Sequence, residues 1–183
     1  MSPQRPFEFS KGLTATATRY SVAAGPAGFE PKYGCVEPSD EWGGILACVA
    51  LAVGRPLAIV RQVAQGRFNV PVNAQWRVVH RLAVDLLAHF GWTGAFCETY
   101  DSTSKIPDLA FAVTKASIGG ADKSVQRCLL FHRQRPAPGQ PGVEYFVDPF
   151  PGIPTAQRIR FDVQNVVLSH FMDVYWMQPD EDY

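Results

Sequence analysis

From residue 45 to 53 every position is apolar, and the run is framed by polar or turn-forming residues on both sides. A segment that is apolar all round predicts a helix over 41–54 lying inside a domain rather than on its surface. Ser39 or Asp40 supplies an N-cap, and Gly54 followed by Pro56 supplies the stop. Apolar residues then recur at helical spacing over 55–64, with Pro56 in a favourable first-turn position. Residues 66–72 read as a connector containing Pro71. Asn73 caps a third helix over 74–90, with Trp76, Val79, Ala83, Leu86, Leu87 and Phe90 on one face. Its opposite face carries Arg77, Arg81, Asp85 and His89, which makes His89 and neighbouring His80 expected surface histidines.

Beyond Gly91 the period shortens to two. Strands are expected over 93–100, 108–114, 125–132 and 143–148, with 136–142 as a hairpin loop between the last two. Asp162 caps an expected short helix in which Val163, Val166, Val167, His170 and Phe171 share a face, and residues 174–177 form a last strand. Helices first and antiparallel strands after them give an α+β domain, with N-terminal helices around a central buried helix packed on one face of the sheet. Residues 1–38, rich in proline and glycine, read as an extended arm with an edge strand over 13–22, and 39–183 as a single domain.

Composition narrows the function more than it names one. At 183 residues and 46% apolar content the chain is an ordinary globular one with room for a sizeable core. Its 17 basic and 17 acidic residues cancel, so there is no overall pull toward nucleic acid or an acidic membrane. The aromatics follow helix and strand periods instead of interleaving with basic residues. Neither phosphate-binding glycine motif is present, and no cofactor is expected. Cys35, Cys48, Cys97 and Cys128 lack C-x-x-C spacing and histidines at metal-ligand spacing, which argues against a zinc site. Cys48, Cys97 and Cys128 lie in apolar stretches and read as core, whereas Cys35 in the turn-rich 33–38 is the thiol most open to solvent. Without a signal pattern or a run approaching the roughly twenty apolar residues of a membrane span, the expected location is cytoplasmic, or outside by a signal-independent route.

The central segment resembles the nucleophile helix of papain-like cysteine peptidases of the bacterial bacteriocin-leader-processing type, which reads roughly Asp-Cys-Gly-x-Ala-Cys-Leu-Ala-Met-x-x-Gly. Residues 47–54, Ala-Cys-Val-Ala-Leu-Ala-Val-Gly, match its second half in register. In that register Gly44 occupies the nucleophile slot and Gly43 the aspartate before it. The run Tyr145-Phe146-Val147-Asp148-Pro149 resembles the family strand ending in Asp-Pro, so the resemblance gives Asp148 the role of orienting acid. Its other reading is a turn aspartate bonding its own backbone ahead of a proline. The histidine slot falls near Gln126 or Arg127, and neither residue exchanges protons at neutral pH.

Among the remaining candidates, His132 is expected at the hairpin end of the same strand, roughly 20 Å from Gln126 at an extended rise. His170 is expected on the inner face of the short helix. Cys35 is the alternative nucleophile, and Trp42, Gly43, Cys48 and His132 are candidate binding residues. The resemblance therefore implies a papain-like fold with a degenerate site that binds a peptide or protein segment. An active thiol hydrolase and an interaction protein with no inherited ligand are the alternatives.

Overall fold

A computed structural model describes residues 25–34, 44–70, 76–95, 98–99, 101–114, 127–151 and 153–177. Three helices come first: α1 (Gly44–Val53), α2 (Leu57–Phe68) and α3 (Trp76–His89). They are followed by β1 (Trp92–Gly94), β2 (Glu98–Thr99), β3 (Leu109–Thr114), β4 (Cys128–Gln134), β5 (Val143–Val147), β6 (Ile159–Arg160) and β7 (Leu168–Trp176). The strands form one antiparallel sheet in the order β1-β7-β3-β4-β5-β6, with β2 also paired to β7. The fold is thus α+β, with the helices on one face of the sheet.

The central helix is buried as its sequence dictates. Ile45 and every residue from Ala47 to Ala52 are buried, and Ala47, Cys48 and Val49 have no exposed surface. Each large apolar side chain so removed from water stabilises the domain by about 1.5–3 kcal/mol before entropy is counted. Gly54 ends α1 at φ +63°, a conformation that a side chain would strain. The second helix runs past its expected end, because Gly66 is tolerated inside it and Asn69 supplies the left-handed stop at φ 50°. Val70 N–H then reaches back to Ala64 O at 3.2 Å.

Strand alternation separates two cores. On the helix side, Phe111, Cys128, Leu130, Tyr145, Val147, Met172 and Val174 meet α1, α2 and α3. On the other side, Ala110, Ala112, Leu129, Phe131, Phe146 and Phe171 are covered by Ile106, Val163, Val166 and Leu168. Short turns cover this second face. The guanidinium of Arg133, only 9% exposed, holds one of them by donating to Thr103 O at 3.0 Å and Ile106 O at 2.9 Å. Glu144 at 2.8 Å and Asp108 at 3.2 Å balance its charge.

Several expected elements differ. The helix expected from 163 to 171 is a single 3-10 turn, Val163–Asn165, followed by the nine-residue strand β7. Helical spacing lost here to the ladder: β7 pairs with β3 on one side and with β1 and β2 on the other, so both backbone edges are satisfied as strand. The strand expected over 93–100 divides into β1 and β2, both on β7. Gly94 sits where a Cβ would come within 3.1 Å of Leu87 Cδ1 and 3.3 Å of Met172 Sδ, so β1 and α3 approach closely. Strand β4 begins and ends later than expected, at Cys128–Gln134. Among the described residues no single helix is long and apolar enough to cross a membrane.

Candidate functional site

The amino end of α1 rests on the beginning of β4. A Cβ built on Gly44 would lie 3.8 Å from Cys128 O, an ordinary contact, so the glycine is not imposed by lack of space. One turn further on, Cys48 is fully buried and its Sγ lies 3.6 Å from the same carbonyl oxygen. A thiol donating inside a core is placed for packing rather than for attack on a substrate.

Arg127 enters β4 from the neighbouring end of β3, where Thr114 N–H donates to Arg127 O at 2.9 Å. Its Nη1 donates to Asp148 Oδ2 at 2.9 Å, and its guanidinium lies over the Phe150 ring at 5.5 Å. Asp148 has no exposed surface. Its Oδ1 accepts the Phe150 N–H at 3.1 Å, which is the turn-aspartate bond expected before a proline, and its own N–H donates to Arg158 O at 2.8 Å. Burial pushes the carboxyl above its ordinary value, opposed by the charge of Arg127, the Phe150 N–H, and the charges of Arg160 and Arg158.

Alternation along β5 puts Asp148 on the side of Phe146, away from Tyr145, Val147 and the helices. Arg160, paired with Phe146 in register, lies on that same side and is tied to Asp162 at 2.7 and 3.1 Å. Asp148 is therefore the counter-ion of an arginine on the face opposite α1. The orienting-acid role that the resemblance gave Asp148 therefore has no support from its position, and the turn-aspartate bond to Phe150 N–H is the one it makes.

The histidines also depart from expectation. His132 is not a surface residue at the hairpin end; it is 8% exposed on the helix side of β4, with Nδ1 3.0 Å from Tyr145 Oη. The sequence hid this because β4 continues two residues beyond His132, to Gln134, so the hairpin bend lies further on. His170 lies on β7 rather than on a helix, half-buried, with Nδ1 2.9 Å from Ser169 Oγ, which itself donates to Val113 O at 3.1 Å. His80 is half-buried instead of solvated, and burial lowers its affinity for a proton. Burial also lowers that of His170, as does the charge of His80. His89 is exposed and accepts from Arg67 Nη1 at 2.9 Å.

Cys35, Trp42, Gly43 and Gln126 lie outside the described residues. Within them, the site has a helix amino end without a thiol, a strand head carrying an arginine, and an aspartate committed to that arginine. No group of three or more His, Cys, Asp or Glu side chains among the described residues is placed to hold a metal. The Arg127–Asp148 pair was missed from the sequence, although two residues of opposite charge at the free end of a hairpin were a readable signal. Comparison with protein-family models and with curated proteins gives no match for the chain.

Proposed function

We propose that this chain is a papain-like, cysteine-peptidase-related domain whose site is degenerate, and that it binds a peptide or protein segment at the amino end of α1 without cutting it. The observation that carries the reading is the seating of α1 on the head of β4 at Gly44, with the Asp-Pro strand next in the sheet. A cysteine peptidase needs a thiolate at that helix start, a base on the facing strand and an acid to orient the base. Here the first described residue of the helix, Gly44, offers no nucleophile, Arg127 carries only hydrogen-bond donors, and Asp148 is turned to the other face. The amino end of a helix presents backbone N–H groups, donors suited to the carbonyl or carboxylate of an extended chain.

Iodoacetamide labelling at pH 6 tests the assignment. On the native chain every cysteine should react no faster than a free thiol; one cysteine reacting much faster would make the protein an enzyme and overturn the proposal. In Gly44→Cys with Gln126→His, the introduced thiol should label faster than a free thiol, because the helix end stabilises its thiolate. Labelling at the free-thiol rate would show that the register is wrong. For binding, peptides enriched on the native chain from a display library should lose affinity for Gly44→Leu, and peptides indifferent to that change would place recognition elsewhere.

A further inference from the structure

The helices leave part of their own side of the sheet bare: α1 packs on β4 and α3 on β1. Over β5 and beyond β6 the cover comes instead from residues 25–34. Phe29 meets Tyr145 and Phe161 edge-on at 5.8 Å each. The backbone at Gly25 passes so near Phe161 that a Cβ there would stand 2.6 Å from the ring. Gln134 holds the segment as a neighbouring strand would, accepting from Lys32 N–H at 2.9 Å and donating to Glu30 O at 3.3 Å. At the far end Tyr33 N–H donates to Tyr145 Oη at 3.1 Å, and the Tyr33 ring stands edge-on to His132 at 4.8 Å.

From this geometry we propose that residues 25–34 are a strap latched by His132 and Tyr145, and that protonation of His132 releases it while the sheet stays folded. The reason is donor accounting at one oxygen. Tyr145 Oη accepts from Tyr33 N–H, and with the neutral imidazole protonated at Nε2 it donates its own proton to the lone pair of His132 Nδ1, 3.0 Å away. A protonated imidazole has no lone pair. Nδ1–H would then point at Tyr145 Oη, and the tyrosine proton would lose its acceptor at a side chain with no exposed surface. The strap itself adds to the cost, since Lys32 places a second positive charge beside the ring.

The surroundings do not supply a counter-charge of matching strength. From the turn before β3, Asp108 favours the protonated ring, but less than Lys32 disfavours it, and Asp108 is committed to Arg133 and Arg135. Arg133 and Glu144, on β4 and β5, pair with each other on alternate positions of their strands. Tyr33 and Tyr145 are both held neutral by burial, and α1, which packs on β4, has no charged residue. Burial is the largest influence on His132, whose pKa falls to about 4. With the strap open and the ring in water, its pKa returns to about 6.5. Acid therefore favours the open form.

Amide hydrogen exchange of the full chain from pH 7 to pH 4.5, corrected for the intrinsic pH dependence of exchange, tests this. The opening constant for the strap should rise on the order of 50-fold over that range, with β3 and β4 still protected. His132→Asn keeps an acceptor near the Nδ1 position and does not titrate, so its strap should stay closed across the range. Tyr145→Phe removes the shared oxygen and should leave the strap open at pH 7. The proposal fails if strap protection in the native chain does not change with pH, if His132→Asn opens to the same extent, or if the strap and β4 lose protection together.

Discussion

The two ends of β4 bury polar side chains in opposite ways. At the Arg127 end the buried groups are charges, a guanidinium and a carboxylate 2.9 Å apart. At the His132 end they are neutral, an imidazole and a phenol 3.0 Å apart that share one proton between them. A buried charge pair is intolerant of losing a member, because the survivor stays charged without compensation. A neutral pair loses less when a member is removed, yet one added proton reverses its sense of donation. The same strand thus has a charged anchor at one end and a neutral one at the other.

The largest expected effect comes from breaking the charged end. Arg127→Ala leaves Asp148 buried with the Phe150 N–H and the more distant charges of Arg158 and Arg160, and should cost about 3–5 kcal/mol in denaturant unfolding. The folded-state pKa of Asp148 is already raised, so the folded state holds this proton more tightly than the unfolded one. Stability from this group therefore rises as pH falls from its folded pKa toward the ordinary carboxylate value, and the opposing charge of Arg127 limits that rise. In Arg127→Ala that opposition is gone. Acidification should recover part of the loss, and Arg127→Ala with Asp148→Asn should recover part of it at pH 7. A loss that stays constant from pH 7 to pH 4.5 would mean that Arg127 acts through packing on Phe150 instead.

Tyr145→Phe should cost less, about 1–3 kcal/mol, since it leaves one backbone N–H and one imidazole nitrogen in search of partners but no bare charge. The two ends should also separate by pH in the native chain. His132 has a lowered folded pKa, so its contribution is fully present above about 6.5 and is lost as pH falls toward about 4, whereas Asp148 gains over its own acidic window. Replacing His132 with Asn should remove the first slope and keep the second, as read from unfolding midpoints across pH.

How much of this was legible in the sequence follows the range of the forces involved. The nine apolar residues of α1 and the alternation of β3 and β5 are local patterns, and the helix, the strands and their antiparallel class were readable from them. Residues 163–171 satisfied a helical period equally well, but partners on both flanks, more than fifty residues away in the chain, made β7 a strand. The candidate site was assigned at Gly44 by the resemblance alone, from spacing along one helix. It was not legible at Asp148 or His132, whose roles depend on which face of the sheet each occupies and on partners from other elements. Tyr33 illustrates this: it lies in a turn-rich stretch that reads as an arm, and its contact with His132 spans the whole helical half of the chain.

The smallest expected effect isolates the electrostatic part of the neutral end. Lys32 lies at the strap surface with its Nζ 5.4 Å from the Tyr33 ring, and its backbone N–H, not its side chain, bonds Gln134. Lys32→Met keeps that backbone bond and should change stability at pH 7 by less than about 0.5 kcal/mol. Removing the charge takes away one of the two influences that hold His132 neutral and leaves burial in place. The imidazole should therefore titrate at a higher pH in Lys32→Met than in the native chain, as read from its ring-proton NMR shifts, while remaining below the ordinary histidine value. The closed-state and open-state pKa values of His132 would then lie closer together, so the strap should open less on acidification than in the native chain. An unchanged His132 titration would assign the whole depression, and with it the acid response, to burial.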